Sequence, residues 1–303
     1  MNIINNSKRQ IGINSFLFPA GEVGLKLDKN DYGFKVGATS FTITENVINS
    51  DALIRIAMAK DALERVVGKD RPIHLFIPYF PYSRQDRVCD GGEAFSLKVV
   101  ADYINNLGFD SVIVADPHSL VTEALIDNIR VISQFDIFQK WEDLKVRVFD
   151  GLQFVSPDAG SNKKTSEIAG YFGHTEFIRA DKLRDLTNGK IKEIKVYADD
   201  LQGRDVIIAD DICEKGGTFI GLTKELKRLG AGKVILYVTH GIFSGEGTLA
   251  NLYESGIEEI WTTNSYHGEN MEEFIYNSID PIVTANPDKP NPIFKSLFIN
   301  SLI

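Results

Sequence analysis

The sequence predicts an α/β protein of two tandem domains, each a mainly parallel sheet flanked by helices. Three observations carry this. Short apolar runs such as Val206-Ile207-Ile208-Ala209 and His74-Leu75-Phe76-Ile77 read as strands buried on both faces. Amphipathic helical patterns alternate with them, which favours crossover connections between parallel strands. The rhythm then repeats in the second half of the 303 residues, enough chain for two domains of about 150 residues each. The expected domains are 1–145 and 146–303, with the tail free to fold back on the first.

Taken in order, residues 10–44 alternate apolar segments with turns. They predict short strands over Ile11 to Phe18, Val23 to Leu27 and Ser40 to Thr44. Asn49-Ser50-Asp51 caps a long helix in which Leu53, Ile56, Ala57 and Leu63 keep helical spacing. The strand ending at Ile77 runs into Pro78-Tyr79-Phe80-Pro81-Tyr82-Ser83-Arg84-Gln85-Asp86-Arg87, an aromatic, basic loop stiffened by two prolines. A helix over roughly Ala94 to Leu107, strand Val112 to Ala115 and the tight Asp116-Pro117-His118 follow. In the second half, strand Gln153 to Val155 leads to Ser156-Pro157-Asp158-Ala159-Gly160-Ser161-Asn162-Lys163-Lys164 and a helix to Tyr171. Ala180 to Glu193 is polar without a firm period and reads as a mobile loop. Strand Val206 to Ala209 ends in Asp210 and Asp211. A loop closes on Gly216-Gly217-Thr218, and a helix places Ile220, Leu222, Leu226 and Leu229 on one side before Gly230. Strand Val234 to Thr239, a helix near Thr248 to Glu254 and strand Glu259 to Trp261 complete the sheet. Prolines 281, 287, 290 and 292 forbid a long helix near the end, leaving Ile293 to Leu302 as one short element.

Composition narrows the function. A net charge of −9 is not that of a nucleic-acid surface, so any phosphate site is a local positive island. Cys89 and Cys213 lie far apart, which fits a reducing compartment without structural disulfides; Cys213 reads as a small filler within the glycine loop. MNIINNSKRQ has no apolar signal core, and no run approaches ~18 apolar residues. A soluble cytoplasmic protein, bound to neither membrane nor nucleic acid, is expected.

Several loops carry candidate chemistry. Asp210 and Asp211, at the carboxyl end of a strand, suit ribose hydroxyls or a hydrated Mg²⁺. The glycines after them let backbone N–H groups turn toward an anion, and the helix start adds partial positive charge. Arg84 and Arg87 offer planar guanidinium groups to a polyphosphate, or to a surface salt bridge. His118 is a metal ligand through its neutral imidazole or a structural hydrogen-bonder. Asp158 suits Mg²⁺, directly or through water, and Lys163 and Lys164 suit phosphate. On an extended segment Lys182 and Arg184 point the same way, toward one polyanion or simply toward solvent. No GxxxxGK[ST] phosphate loop occurs.

Four of these segments, in order, resemble the ribose-phosphate diphosphokinase (PRPP synthetase) family, over roughly residues 15–250. The resemblance implies two phosphoribosyltransferase-type domains. PYFPYSRQDR at 78–87 is similar to the family's ATP-phosphate loop, which makes Arg84, Gln85 and Asp86 ATP contacts. ADPH at 115–118 is similar to the segment of the Mg²⁺ histidine, so His118 takes that role beside ATP. SPDAG at 156–160 resembles the pyrophosphate loop, with Asp158 as a second metal-side group. DDICEKGGT at 210–218 resembles the ribose 5-phosphate loop, so Asp210, Asp211, Glu214, Lys215, Gly216, Gly217 and Thr218 become substrate contacts. Thr239-His240-Gly241-Ile242-Phe243-Ser244-Gly245 adds to the likeness. Lys182 and Arg184 fall where the family keeps two catalytic cations on a flexible loop, and Phe18 to Glu22 is similar to a segment reaching a neighbouring subunit's adenine, which makes Phe18 and Glu22 candidates. The implied reaction is Mg²⁺-dependent transfer of the β,γ-pyrophosphoryl group of ATP to ribose 5-phosphate, giving PRPP and AMP, in a homo-oligomer built on dimers or hexamers.

The chain also departs from that pattern. Glu214-Lys215-Gly216-Gly217-Thr218 stands where the family reads acid-Thr-Gly-Gly-Thr. Ser161 replaces a glycine, Lys163 or Lys164 an arginine, and Ala20 an Asp or Asn. A cation at Lys215 suits a longer acceptor such as ADP-ribose, serving NAD or nucleotide synthesis. A base phosphoribosyltransferase consuming PRPP and a non-catalytic regulatory homologue are the other readings.

Overall fold

The computed structural model describes residues 1–34, 37–184, 191–275, 277–278 and 293–302. The chain divides into two compact units, Met1–Ser133 and Gln134–Ile303.

The first unit runs β1 (Asn2–Asn5), β2 (Ile13–Leu17), β3 (Val23–Leu27), β4 (Phe41–Thr44), α1 (Ser50–Val67), β5 (Ile73–Ile77), α2 (Ser96–Asn106), β6 (Ser111–Ala115), α3 (Leu120–Leu125) and β7 (Ile129–Ile132). Its main sheet has the order β1-β4-β5-β6-β7. The β4–β7 neighbours are parallel and β1 is antiparallel to β4, while β2 and β3 form a separate antiparallel ribbon. Asn49 caps α1 by accepting a hydrogen bond from the Ala52 N–H at 3.0 Å. One face of that helix, Ala52, Ile56, Ala59 and Leu63, enters the core against Ile43, Leu75 and Ile77. The helix read from Ala94 starts two residues later, at Ser96.

The second unit runs α4 (Gln134–Phe138), α5 (Glu142–Phe149), β8 (Gln153–Ser156), α6 (Asn162–Tyr171), β9 (Ile178–Arg184), β10 (Ile191–Val196), β11 (Val206–Cys213), α7 (Gly217–Arg228), β12 (Val234–Gly241), α8 (Thr248–Glu254), β13 (Glu259–Thr263) and β14 (Ile293–Leu297). The sheet order is β10-β9-β8-β11-β12-β13-β14, parallel except where β10 meets β9. The unbroken apolar run of β11 follows from this position. Val206 and Ile208 face a core shared with Leu222 and Leu226 of α7 and Leu252 of α8, whereas Ile207 and Ala209 face another with Phe138, Leu144, Val148 and Ile168.

Three expectations need correction. The division falls between Ser133 and Gln134 rather than near residue 145, because Phe138, Trp141, Leu144 and Val148 pack into the second unit's core. Much of Ala180 to Glu193 is strand, with Val196 of β10 paired opposite Ala180 of β9. Its polar composition is that of a sheet edge; residues 185–190 lie outside the described residues. The end of the chain is two elements rather than one: β14 extends the second unit's sheet beside β13, and a short 3-10 turn spans Ile299–Leu302. The helix after the glycine loop keeps the expected face: Leu222 and Leu226 are buried with Phe219, and Ile220 and Leu229 pack partly buried against the same core. Among the described residues no helix is long and apolar enough to cross a membrane.

A buried charge ties α5 to this sheet. Glu259 at the start of β13 is 1% exposed; Arg147 Nη1 donates to both its oxygens at 2.7 Å, and the Trp261 indole N–H donates at 3.1 Å. Removing one partner of such a pair strands the other charge. Arg147→Met should therefore destabilise the second unit by about 3 kcal/mol, a fall of roughly 6–12 °C in its melting temperature. Both tryptophans, Trp141 and Trp261, sit in this unit, so tryptophan fluorescence reads it directly. A shift below about 2 °C would show that Glu259 does not depend on Arg147.

Candidate functional site

Each unit gathers predicted residues at the carboxyl ends of its parallel strands. In the first unit β5 and β6 are neighbours, so the loops leaving them emerge side by side. Buried Phe80 and Ser83 anchor the loop after β5, and between them Tyr82 takes φ +60°, a left-handed conformation unusual for a non-glycine residue. The Gln85 N–H closes the turn on the Tyr82 carbonyl at 2.8 Å, and the Arg84 and Gln85 side chains stand exposed. After β6, Asp116 is buried with φ +37°, and His118 is exposed just beyond it.

Asp86 joins the two loops. Arg87 donates to both its oxygens, at 2.7 and 3.0 Å, and the Ser119 hydroxyl donates at 2.6 Å. The Arg87 hydrogen bonds hold the Asp86 carboxyl down to about 2 against its partial burial, helped by Ser119 and by the His118 charge. Arg84, Gln85, Asp86 and His118 thus share one corner of the first unit. Phe18 and Glu22 do not join it by any hydrogen bond among the described residues. They close the turn of the β2–β3 ribbon, where the Phe18 N–H donates to the Glu22 carbonyl at 2.8 Å, and the Phe18 ring is 49% exposed against Phe16.

In the second unit the sheet order sets β8 between β9 and β11, which brings three loops together. The sequence places Asp210 and Asp211 past the strand; instead β11 continues through them to Cys213. Ser161 Oγ donates to Asp210 Oδ1 at 2.7 Å, the Asp211 N–H to the same oxygen at 3.0 Å, and Gln134 Nε2 to the Asp210 carbonyl at 2.6 Å. Burial, then the neighbouring Asp211 charge, push the Asp210 carboxyl up. Lys164 Nζ lies 3.5 Å from Asp211 Oδ2, while Lys163 is exposed. Lys182, on a strand rather than a loop, is ion-paired with Asp158. Partial burial works against the Asp158 charge, yet Lys182 and the Ser161 and Gly160 N–H groups hold its carboxyl below the usual range. Arg184 lies two positions on in β9; its side chain is outside the described residues.

The glycine loop follows β11. Gly216, at φ +73°, turns the chain into α7, and Gly217 opens that helix. A Cβ at Gly216 would meet Leu252 at 2.9 Å, whereas one at Gly217 meets nothing within 4 Å. Lys215 and Gly217 are exposed, Glu214 and Thr218 half-buried. The Phe243 and Ser244 N–H groups, after β12, donate to the Cys213 and Glu214 carbonyls and brace the loop. Cys213 is fully buried, which pushes its thiol up and leaves it a filler. Among the described residues no group of three or more His, Cys, Asp or Glu is arranged to hold a metal.

Sequence reasoning missed Ser119, Gln134 and the bond made by Ser161. Ser119 follows a proline turn and carries no motif; Gln134 reaches Asp210 across 76 positions, beyond any local pattern.

Two outcomes follow. The Asp86 carboxyl, followed by NMR, should titrate near 2, and Arg87→Gln should move it toward the ordinary 3.8. Because this pKa is depressed, the stabilisation is present above about 4 and lost as pH falls toward 2; a wild-type midpoint at 3.8 would contradict the fork. Gly216→Ala should lose about 1–2 kcal/mol of stability in chemical unfolding from its left-handed backbone, with Gly217→Ala near neutral. Equal effects would remove the special role of Gly216.

Two family models match the chain: the N-terminal domain of ribose phosphate pyrophosphokinase over residues 13–108, and the phosphoribosyl synthetase-associated domain over residues 172–276. The ribose-phosphate pyrophosphokinase of Vibrio cholerae serotype O1 is 32% identical over 250 residues, 82% of this chain and 76% of that protein. That of Buchnera aphidicola subsp. Schizaphis graminum is 33% identical over 245 residues, 80% and 75% of the two chains. The crystal structure of phosphoribosylpyrophosphate synthetase from Mycobacterium smegmatis shares the fold, with a TM-score of 0.74 at 22% identity, covering 98% of this chain and 89% of that one. This chain belongs to the ribose-phosphate pyrophosphokinase family.

Proposed function

We propose that the protein transfers the β,γ-pyrophosphoryl group of ATP to the anomeric hydroxyl of ribose 5-phosphate. The anomeric oxygen bonds to the β-phosphorus and gives up its proton; the bond from that phosphorus to the oxygen it shares with the α-phosphate breaks, and AMP leaves. Beyond family membership, the observation that carries this reading is the run from β11 into α7: an acid pair, a left-handed glycine turn and a helix start. Asp210 and Asp211 orient the ribose hydroxyls. Gly216, Gly217 and Thr218, with Glu214 and Lys215 beside them, take the 5-phosphate at the helix N-terminus. Arg84, Gln85 and Asp86 bind ATP, with Phe18 and Glu22 as adenine contacts. Lys182 and Arg184 meet the negative charge that grows on the transferring phosphoryl group and the leaving oxygen.

Mg²⁺ is part of the proposal, with His118 in the first unit and Asp158 in the second each a candidate ligand in its own unit. When bound with ATP, such an ion would neutralise phosphate charge and withdraw electrons from phosphorus. A cytoplasmic homo-oligomer, dimeric or hexameric, completes the reading, and light scattering measures its size.

The test is AMP release, by chromatography, from MgATP with ribose 5-phosphate, and separately with ADP-ribose, the longer acceptor suggested by the exposed Lys215. AMP with ribose 5-phosphate and its loss on chelation of the metal are the expected results. Preference for ADP-ribose would reassign the acceptor, and AMP with no ribose phosphate would overturn the reading in favour of a regulatory homologue. Lys182→Ala should lower kcat by roughly 10²–10³-fold while the KM for ATP stays within about threefold. Parallel losses in both would contradict a transition-state role.

A further inference from the structure

Ser161 occupies the N-cap position of α6 but does not cap it. A serine there ordinarily accepts a hydrogen bond from a first-turn N–H, worth about 1 kcal/mol. This one is 7% exposed, and its hydroxyl donates instead to Asp210 Oδ1 at 2.7 Å, across 49 residues of sequence. The Asp158 Oδ1 also lies 3.4 Å from Oγ, but a hydroxyl has one proton, and the shorter bond takes it. Asp158 is reached through the Ser161 main chain, whose N–H points to Oδ1 at 3.2 Å. One turn further along, Lys164 lies 3.5 Å from Asp211. The first turn of α6 therefore addresses Asp158, Asp210 and Asp211 at once.

We infer that Ser161 is a positioning residue for the sugar acceptor: its hydroxyl fixes the Asp210 carboxylate in the orientation that receives the ribose hydroxyls, with Lys164 steadying Asp211. This rests on the proposed role of the acid pair as sugar ligands. Through Ser161 the loop carrying Asp158 and the strand carrying Asp210 form one hydrogen-bonded unit, so a displacement of either is felt by the other.

The test measures kcat/KM for ribose 5-phosphate, KM for ATP and melting temperature in wild type, Ser161→Ala, Ser161→Thr and Lys164→Met. Ser161→Ala should lower kcat/KM for the acceptor about 5–10-fold, the effect expected for losing one hydrogen bond to a buried carboxyl group. KM for ATP should change by less than about 2-fold and the melting temperature by less than about 2 °C, because no helix cap is lost. Ser161→Thr, which keeps a hydroxyl, should recover most of the loss, and Lys164→Met should show a smaller fall confined to the acceptor. An unchanged acceptor kcat/KM in Ser161→Ala, equal losses for both substrates, or no recovery with threonine would overturn the inference. Should Ser161→Ala not fold, Ser161→Gly removes the same hydroxyl; failure of both to fold would assign a structural role and overturn it too. A wild type that releases no AMP with any ribose phosphate is a failure of the proposed function instead, and is visible before any variant is made.

Discussion

Three carboxylates crowd the ends of two adjacent strands in the second unit, and their mutual repulsion is the constraint around which that end of the sheet is organised. At 4 Å and an effective dielectric of 20, two like charges repel by about 4 kcal/mol. Asp158, Asp210 and Asp211 sit on or just after β8 and β11, which are hydrogen-bonded neighbours, so the backbone cannot move them apart. The surrounding groups answer that repulsion one by one: Lys182 for Asp158, the Ser161 hydroxyl for Asp210 and Lys164 for Asp211. The upward push on Asp210, from burial first and the Asp211 charge second, is what these partners leave unanswered. Such residual imbalance at a loop cluster is characteristic of sites that bind and react.

The first unit handles charge differently. Arg84, Arg87 and His118 are exposed, and Asp86 carries the Arg87 fork beside them. Asp86 holds the Arg87 fork and the Ser119 hydroxyl, which locks the loop after β5 to the loop after β6. On a chain of net charge −9 this local arrangement, rather than any overall attraction, must provide for an anion. The left-handed Tyr82 and Asp116 belong to the same device. Unusual backbone conformations of this kind persist where the surroundings over-determine them, and here Phe80, Ser83 and the paired strands do so.

Much of this was legible in the sequence, for physical reasons that also mark the limits. The strand at Val206 was plain because a central strand in a parallel sheet is apolar on both faces, and the glycines after it were plain because only glycine tolerates such a turn freely. The cap at Asn49 was likewise local. What escaped was non-local or compositionally disguised. β10 looks like a loop because an edge strand carries charge, β9 because beyond Arg179 it pairs with that edge strand alone, and β14 follows a proline-rich stretch that hides it. The seam at Ser133 depends on where Phe138 and Leu144 pack, which no window of sequence records. Among site residues, the types at 84–86, 118, 158, 210 and 211 were visible, yet their pairings were not. Ser161 was seen only as an absent glycine until its hydroxyl was found on Asp210.

Finding Lys182 on a strand changes how its proposed role must be understood. A catalytic cation on a loop acts by arriving, and its main chain is ordered when substrate binds. Lys182 is instead held by a β9 backbone paired to β10, with β9 also joined to β8, and its ammonium already has an occupant in Asp158. On the proposed reading, then, the lysine acts by exchange: a cation or phosphate entering beside Asp158 competes for one member of the pair and frees the other. The carboxylate is kept ionised by the lysine until that moment, so it needs no deprotonation before it can serve a metal. The strand keeps the lysine's backbone fixed while its long side chain changes partner, and the entropy lost is that of a few rotors rather than of a whole loop.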